Sequence, residues 1–97
     1  AGAVARAAGD GAAAEAAWRA ALLVDPLSAR GWNNLGNLLG SQGRRREAEA
    51  AQRRAVELAP GMPEARRNLA ITLLRLGRKT EARRVLEDAP APGNPGP

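Results

Sequence analysis

The chain contains no cysteine, histidine, phenylalanine or tyrosine, and two tryptophans are its only aromatic residues among 97. Without cysteine it has neither a disulfide framework nor a thiolate metal site, which suits a reducing compartment and favours the cytoplasm. Histidine, cysteine and tyrosine often act as catalytic bases or nucleophiles, and the chain has none of them. No apolar run approaches the ~20 residues that span a bilayer. We therefore expect no enzyme activity, no cofactor, no metal ion and no membrane insertion.

Alanine is the most abundant residue, with 23 copies beside 12 leucines. Alanine favours helix and lets helix backbones approach closely. So few large apolar side chains cannot fill a bulky core. The composition therefore predicts a single all-α domain with a thin core between closely packed helices.

A period of 34 residues runs along the chain. Positions that recur at this spacing are Gly9, Gly43 and Gly77; Ala14, Ala48 and Ala82; Leu35 and Leu69; Leu39 and Leu73; Pro26 and Pro60; Asn34 and Asn68. Identities at one fixed offset are the mark of a repeat protein in which each period is one structural unit. We expect units at residues 1–28 (incomplete), 29–62 and 63–89, followed by a proline- and glycine-rich tail at 90–97.

Each period indicates two helices joined by a short turn. Gly43 suits the left-handed residue that closes the first helix, and Pro60 biases Ala59 away from helix and ends the second. In the incomplete unit we expect the end of a first helix at 1–8, a break at Gly9 and a second helix at 11–24. In the last unit the pattern places Leu86 on the packed face.

The residues Trp32, Leu35, Gly36 and Leu39, followed by Ala48 and Pro60, resemble the tetratricopeptide repeat signature. The resemblance covers nearly the whole chain and implies a right-handed α-solenoid of antiparallel helix pairs, about two and three-quarter repeats long. It also implies a protein-interaction scaffold. Departures are Leu39 and Leu73 in place of tyrosine, Gln52 in place of phenylalanine, and Arg66 in place of the tryptophan of the last unit.

The first helix of each repeat lines the concave face of such a solenoid, so its residues that avoid the core are the binding candidates. These are Arg30, Asn33, Asn34, Asn37, Arg67, Asn68, Ile71 and Arg75. Asn34 and Asn68 are the strongest pair, because a carboxamide offers donors and an acceptor to a peptide backbone. The alternative is that these asparagines bond a neighbouring helix or face water.

Residues 32–39 are similar to the repeat arm of the O-linked N-acetylglucosamine transferases. That resemblance implies peptide-backbone contacts at Asn34 and Asn68, and it leaves open that the chain is the substrate-recognition arm of a larger enzyme. A carboxylate clamp, as in chaperone-binding repeats, is disfavoured because Ala3 and Glu64 stand at positions that it needs for an asparagine and a cation.

The formal net charge is +5. Several arginines stand four residues from an acid, a spacing typical of ion pairs on a solvated helix face. These pairs are Glu15–Arg19, Glu49–Arg53, Arg53–Glu57, Arg83–Glu87 and Arg84–Asp88. A basic rim remains at the turns, formed by Arg44, Arg45, Arg46, Arg78 and Lys79. Such a rim could meet RNA through its phosphates, although a coding bias towards arginine explains the excess equally well. The expected partner is a protein or peptide, and open repeat ends leave room for self-association.

Overall fold

The computed structural model describes the backbone of residues 2–88 and the side chains of residues 11–88. All regular secondary structure in this range is helical, which confirms the all-α fold. The five helices are α1 (Gly2–Val24), α2 (Ala29–Ser41), α3 (Arg45–Leu58), α4 (Pro63–Arg75) and α5 (Lys79–Glu87). The tail predicted at 90–97 lies outside the described residues.

Each helix packs against the next one along the chain, and α2 also contacts α4. The centre of the core is four leucines, Leu35, Leu39, Leu69 and Leu73, each no more than 1% exposed. They form two pairs at the 34-residue offset, so each repeat contributes the same two side chains from its first helix. Small residues of the second helices close the core, and the helix backbones can therefore lie near each other.

The turns that join α2 to α3 and α4 to α5 have the same backbone geometry. Gly43 and Gly77 have φ angles of 78° and 79°. The N–H of Gly43 donates to the carbonyl of Gly40, and the N–H of Arg44 donates to the carbonyl of Leu39, both at 3.0 Å. These two bonds form a Schellman motif, which satisfies helix carbonyls that would otherwise lack donors. The predicted role of Gly43 is confirmed.

The first helices of the two complete repeats begin in different ways. The Ser28 hydroxyl accepts from the N–H of Gly31 at 3.0 Å and caps α2. Pro63 occupies the first turn of α4, where its missing N–H has no cost. Both helices nevertheless begin at the same phase of the repeat, because Ala29 and Pro63 are 34 residues apart.

Two expectations about the ends of the array are wrong. Gly9 does not break the chain, because α1 runs without interruption from Gly2 to Val24. The first eight residues contain Val4 as their only large apolar residue. A reversal of the chain at Gly9 would therefore bury little apolar surface, and the alanines favour a continuous helix. Leu86 is 53% exposed, because no described element covers the outer side of α5.

Candidate functional site

The first helices of the two complete repeats, α2 and α4, enclose an open cavity of about 310 Å³. We call it the α2–α4 groove. It is lined by Asn37, Gly40, Ser41, Gln52, Asn68, Ile71, Thr72 and Arg75. Its rim carries carboxamides, one exposed isoleucine and one exposed arginine, while its base is closed by the buried side chains of Gln52 and Thr72.

Four of the eight predicted binding residues meet in this groove, namely Asn37, Asn68, Ile71 and Arg75. Asn34 and Arg30 lie elsewhere, in a smaller cavity of about 230 Å³ that α1 and the start of α2 form around Trp18 and Leu22. The two asparagines of the predicted ladder thus occupy different cavities, one repeat apart.

The two remaining predicted residues lie outside both cavities. Arg67 is exposed on α4. Asn33 was expected on the open surface, and this is wrong, because it is only 5% exposed. Its Oδ1 accepts from Asn68 Nδ2 at 3.0 Å. Helices α2 and α4 contact each other at this point, so a polar residue there is buried and needs a partner from the other helix.

Gln52 and Thr72 are site residues that the sequence analysis missed. The Thr72 hydroxyl donates to Gln52 Oε1 at 2.6 Å, and Gln52 Nε2 donates to Asn37 Oδ1 at 3.3 Å. These bonds connect α2, α3 and α4 beneath the groove. The sequence does contain an indication of Gln52. The equivalent position holds Trp18 and Leu86 in the other units, so a polar residue stands where the repeat pattern has a large apolar one.

The predicted basic rim is smaller than expected, because Arg44 and Arg78 are paired. Arg44 bonds Glu15 at 2.6 Å and Glu47 at 2.7 Å. Arg78 bonds Glu49 at 2.6 Å and Glu81 at 2.7 Å. Each arginine joins the second helix of one repeat to the start of the second helix of the next repeat. The free rim therefore comprises Arg45, Arg46 and Lys79, which have no ion-pair partner among residues 11–88.

These ion pairs perturb the titration of their carboxylates. The pKa of Glu15 is lowered, chiefly by the hydrogen bond from Arg44 and then by the bond from Arg19. For Glu49, burial acts to raise the pKa, but hydrogen bonds from Arg53 and Arg78 outweigh burial and lower it. Both clusters therefore hold their carboxylates ionised, as a structural link between repeats requires.

The predicted helix-face pairs are formed in part. Glu15–Arg19 and Glu49–Arg53 are present at 2.9 Å and 2.6 Å. The Arg53–Glu57 pair is wrong, since Arg53 is held by Glu49 and Glu57 contacts Arg54 instead. The pairs expected at Arg83–Glu87 and Arg84–Asp88 are also not formed in the described part of α5.

A further cleft recurs at the 34-residue offset between successive second helices. Between α1 and α3 its volume is about 410 Å³, and apolar side chains, including Trp32, Ala50 and Ala51, line much of it. Between α3 and α5 the equivalent positions are Arg66, Arg84 and Val85, in a cavity of about 350 Å³. The substitutions make the second cleft polar, so the cleft is not a uniform feature of the array.

The described residues contain neither a membrane-spanning helix nor a metal-binding cluster. No helix among them is both long and apolar enough to cross a membrane. No group of three or more acidic side chains within the described range is arranged to hold a metal ion.

Paired helices that repeat every 34 residues, with a groove between the first helices of successive pairs, define an α-solenoid, a class that binds partners along extended surfaces. The tetratricopeptide repeat model matches residues 1–63 and, in a second register, residues 33–97. The chain therefore belongs to the tetratricopeptide repeat family and is a protein-interaction scaffold.

Curated relatives include peroxisomal targeting signal receptors of yeasts. The chain is 42% identical to the receptor of Eremothecium gossypii over 65 residues, and 38% identical to that of Saccharomyces cerevisiae over 65 residues. Each alignment covers 67% of this chain and 11% of the receptor. The chain thus corresponds to about a tenth of the length of these relatives.

Solved structures of the protein MamA share the fold. One superimposes with a TM-score of 0.78 at 22% identity, covering 82% of this chain and 47% of that one. A second gives 0.68 at 25% identity, covering 74% of this chain and 39% of the other. At this level of identity the likeness supports the solenoid architecture.

Proposed function

We propose that the chain binds an extended peptide segment of a partner protein in the α2–α4 groove. The observation that carries the proposal is the convergence of Asn37, Asn68, Ile71 and Arg75 on one open cavity. Carboxamides suit a peptide backbone, Ile71 offers an apolar contact at 41% exposure, and Arg75 favours an acidic side chain. The similarity to receptors named for a targeting signal supports a peptide ligand.

A selection from a random decapeptide display library tests this proposal. The native chain should enrich a defined set of peptides with acidic residues at one position. A variant that combines Ile71→Ser with Arg75→Ala should lose at least about tenfold in affinity for those peptides, because an apolar contact and a charged hydrogen bond disappear together. Arg83→Ala is the matched control, since Arg83 is exposed on α5 and lines neither cavity. Equal binding by native chain and groove variant would refute the proposal.

We also propose that the chain itself has no catalytic role. The side chains of the groove are three amides, two hydroxyls, an isoleucine and an arginine, and none of these is a general base near neutral pH. A substrate-recognition arm of a larger enzyme would use the same groove, with the chemistry elsewhere. We likewise propose that the protein is located in the cytoplasm, and imaging of a fluorescent fusion tests this.

Self-association is a second candidate, which exposed leucines on α4 and α5 favour and the charges on α5 oppose. Leu86 on α5 is 53% exposed and Leu74 on α4 is 51% exposed. The charges nearby are reversed relative to the preceding repeats, because Arg83 stands at the phase of Glu49 and Glu87 at the phase of Arg53. A helix pair that packs against α5 in the same way therefore needs an acidic side chain opposite Arg83. In this chain the turn that would lie there carries an arginine, Arg44 or Arg78, so a second copy would not supply the acid.

Sedimentation velocity between about 10 and 500 μM tests this candidate, since weak association appears at such concentrations. If copies associate through α5, the native chain should sediment faster as its concentration rises and Leu86→Glu should remain a monomer. A monomer at every concentration would refute self-association.

RNA binding is the remaining alternative, and the pairing of Arg44 and Arg78 reduces its support. Three free cations would neutralise few phosphates, so the dependence of affinity on salt should be shallow. The charge of the rim could still attract RNA weakly. Binding of a labelled single-stranded RNA that disappears in Arg45→Ala/Arg46→Ala would revive this alternative.

A further inference from the structure

Gln52 is a buried polar residue at a position where the neighbouring repeats have apolar side chains. It is 3% exposed, whereas the equivalent positions hold Trp18 and Leu86. Gly36 makes room for it, since a Cβ at residue 36 would lie 2.5 Å from Gln52 Cγ. A buried carboxamide is costly unless its hydrogen bonds are satisfied, and an apolar residue would avoid that cost. Packing alone therefore does not explain why a glutamine occupies this position.

The hydrogen bonds of Gln52 orient Asn37. The Thr72 hydroxyl donates to Gln52 Oε1 at 2.6 Å, so the amide nitrogen of Gln52 is turned the other way. That nitrogen donates to Asn37 Oδ1 at 3.3 Å. Because the oxygen of Asn37 faces inward, its NH2 group remains for the groove, which Asn37 lines from α2.

Asn68 is oriented on the opposite wall by a different partner. Its Nδ2 donates to Oδ1 of the buried Asn33 at 3.0 Å. This bond uses the amide nitrogen and leaves Asn68 Oδ1 as an acceptor. The groove therefore offers a donor on α2 and an acceptor on α4, with each carboxamide held in one orientation by a buried side chain.

We propose that Gln52 is a positioning residue, because its hydrogen bonds connect Thr72 to Asn37 and hold the Asn37 side chain in one orientation. Asn37 and Asn68 are then the two residues of the groove that bind the peptide backbone. An extended peptide residue directs its N–H and its C=O to the same side, so Asn68 Oδ1 accepts the first and Asn37 Nδ2 donates to the second. The inference rests on the proposed function, and it assigns Asn37 in place of Asn34 as the partner of Asn68.

Two variants separate positioning from packing. Gln52→Met/Thr72→Val replaces both buried polar groups by apolar groups of similar shape, a change that leaves stability nearly unaltered. Gln42→Met/Thr80→Val is the matched control, because it makes the same changes at exposed positions. Asn37→Asp is the second test variant, since a carboxylate still accepts from Gln52 but cannot donate to a peptide carbonyl.

The measurement is a titration of 15N-labelled protein with acetyl-hexaglycine amide, a probe that offers peptide backbone and no side chains. In the native chain and the matched control, the side-chain NH2 resonances of Asn37 and Asn68 should shift. In Gln52→Met/Thr72→Val the affinity should fall about fivefold to tenfold, and in Asn37→Asp at least as much, because one oriented hydrogen bond is lost. Thermal melting should show that both variants remain folded.

Equal affinity of the native chain and Gln52→Met/Thr72→Val would overturn the positioning role. Shifts at Asn34 in place of Asn37, or no shift at either groove asparagine, would overturn the assigned pair. If library peptides still bind the groove in any of these cases, the proposed function stands. If the library selection also yields no groove-dependent peptide, the proposed function fails together with the inference.

Discussion

At the scale of single residues, two side chains of different chemistry perform the same contact in successive repeats. Trp32 Nε1 donates to the carbonyl of Pro26 at 2.8 Å, and Arg66 Nε donates to the carbonyl of Pro60 at 2.6 Å. Arg66 therefore replaces the indole N–H that ties the first helix to the preceding turn. Its Nη1 also donates to the carbonyl of Val85 at 2.8 Å, near the end of α5. The departure from the family pattern at Arg66 thus keeps the contact with the preceding turn and adds a hydrogen bond to α5.

The adjacent leucines 73 and 74 provide a stability test at this scale. Leu73 is 0% exposed and Leu74 is 51% exposed. Leu73→Ala should lower the free energy of unfolding by about 2–5 kcal/mol, because it removes transfer energy and leaves a cavity. Leu74→Ala should change it by no more than about 0.5 kcal/mol. Urea unfolding followed by circular dichroism measures both, and similar losses would show that the packing is not as described.

At the scale of helices, close approach of α2 and α3 depends on a glycine. A Cβ on Gly36 would meet Gln52 Cγ at 2.5 Å and the carbonyl oxygen of Ala48 at 3.3 Å. Gly40, one turn later, differs, since a Cβ there would lie 3.8 Å from Ala48 Cβ, an ordinary contact. Both glycines lie in α2, so comparing them separates packing from helix propensity.

Gly40→Ala should stabilise the chain by up to about 1 kcal/mol, the gain in helix propensity. Gly36→Ala should destabilise it by about 1–2 kcal/mol, because overpacking against Gln52 and the backbone exceeds that gain. Adding Gln52→Ala to Gly36→Ala should relieve the clash, so the losses should be less than additive in a double-mutant cycle. Strict additivity in urea unfolding would contradict this account.

At the scale of the whole molecule, the repeats are connected by two equivalent charge clusters. Arg44 and Arg78 each bond a glutamate of the preceding repeat and a glutamate of their own. The pKa values of Glu47 and Glu81 are lowered chiefly by hydrogen bonds from these arginines. Since the carboxylates titrate below their ordinary value of 4.5, the clusters contribute stability that is fully present above that pH.

Acid should therefore weaken the connection between repeats. A carboxyl group with a lowered pKa in the folded state binds fewer protons than in the unfolded state, so stability falls as pH drops below about 4.5 through the folded pKa. Thermal melting between pH 7 and pH 2.5 should show this loss, and Arg78→Met should flatten the dependence. Arg83→Met, which removes an arginine without an ion pair in the described range, should leave the native slope. A slope unchanged by Arg78→Met would contradict the role of the cluster.

Most of the fold followed from the sequence. The 34-residue period located the helix pairs, the glycines at 43 and 77 located the turns, and the leucines at 35, 39, 69 and 73 located the core. These features are local or strictly periodic, because helix propensity, left-handed turn residues and the spacing of apolar side chains act over a few residues and recur in each repeat.

Only the tertiary structure decided which polar residues pair between different helices. Sequence spacing placed Asn33 on the open surface and left Arg44 free, but Asn33 is buried against α4 and Arg44 bonds Glu15, 29 positions away. Such contacts depend on how one repeat stacks on the next, and helix periodicity within a single repeat does not contain that information. For the same physical reason the sequence indicated a binding face, while the joining of Gln52, Thr72 and Asn37 beneath one groove emerged only from the packed helices.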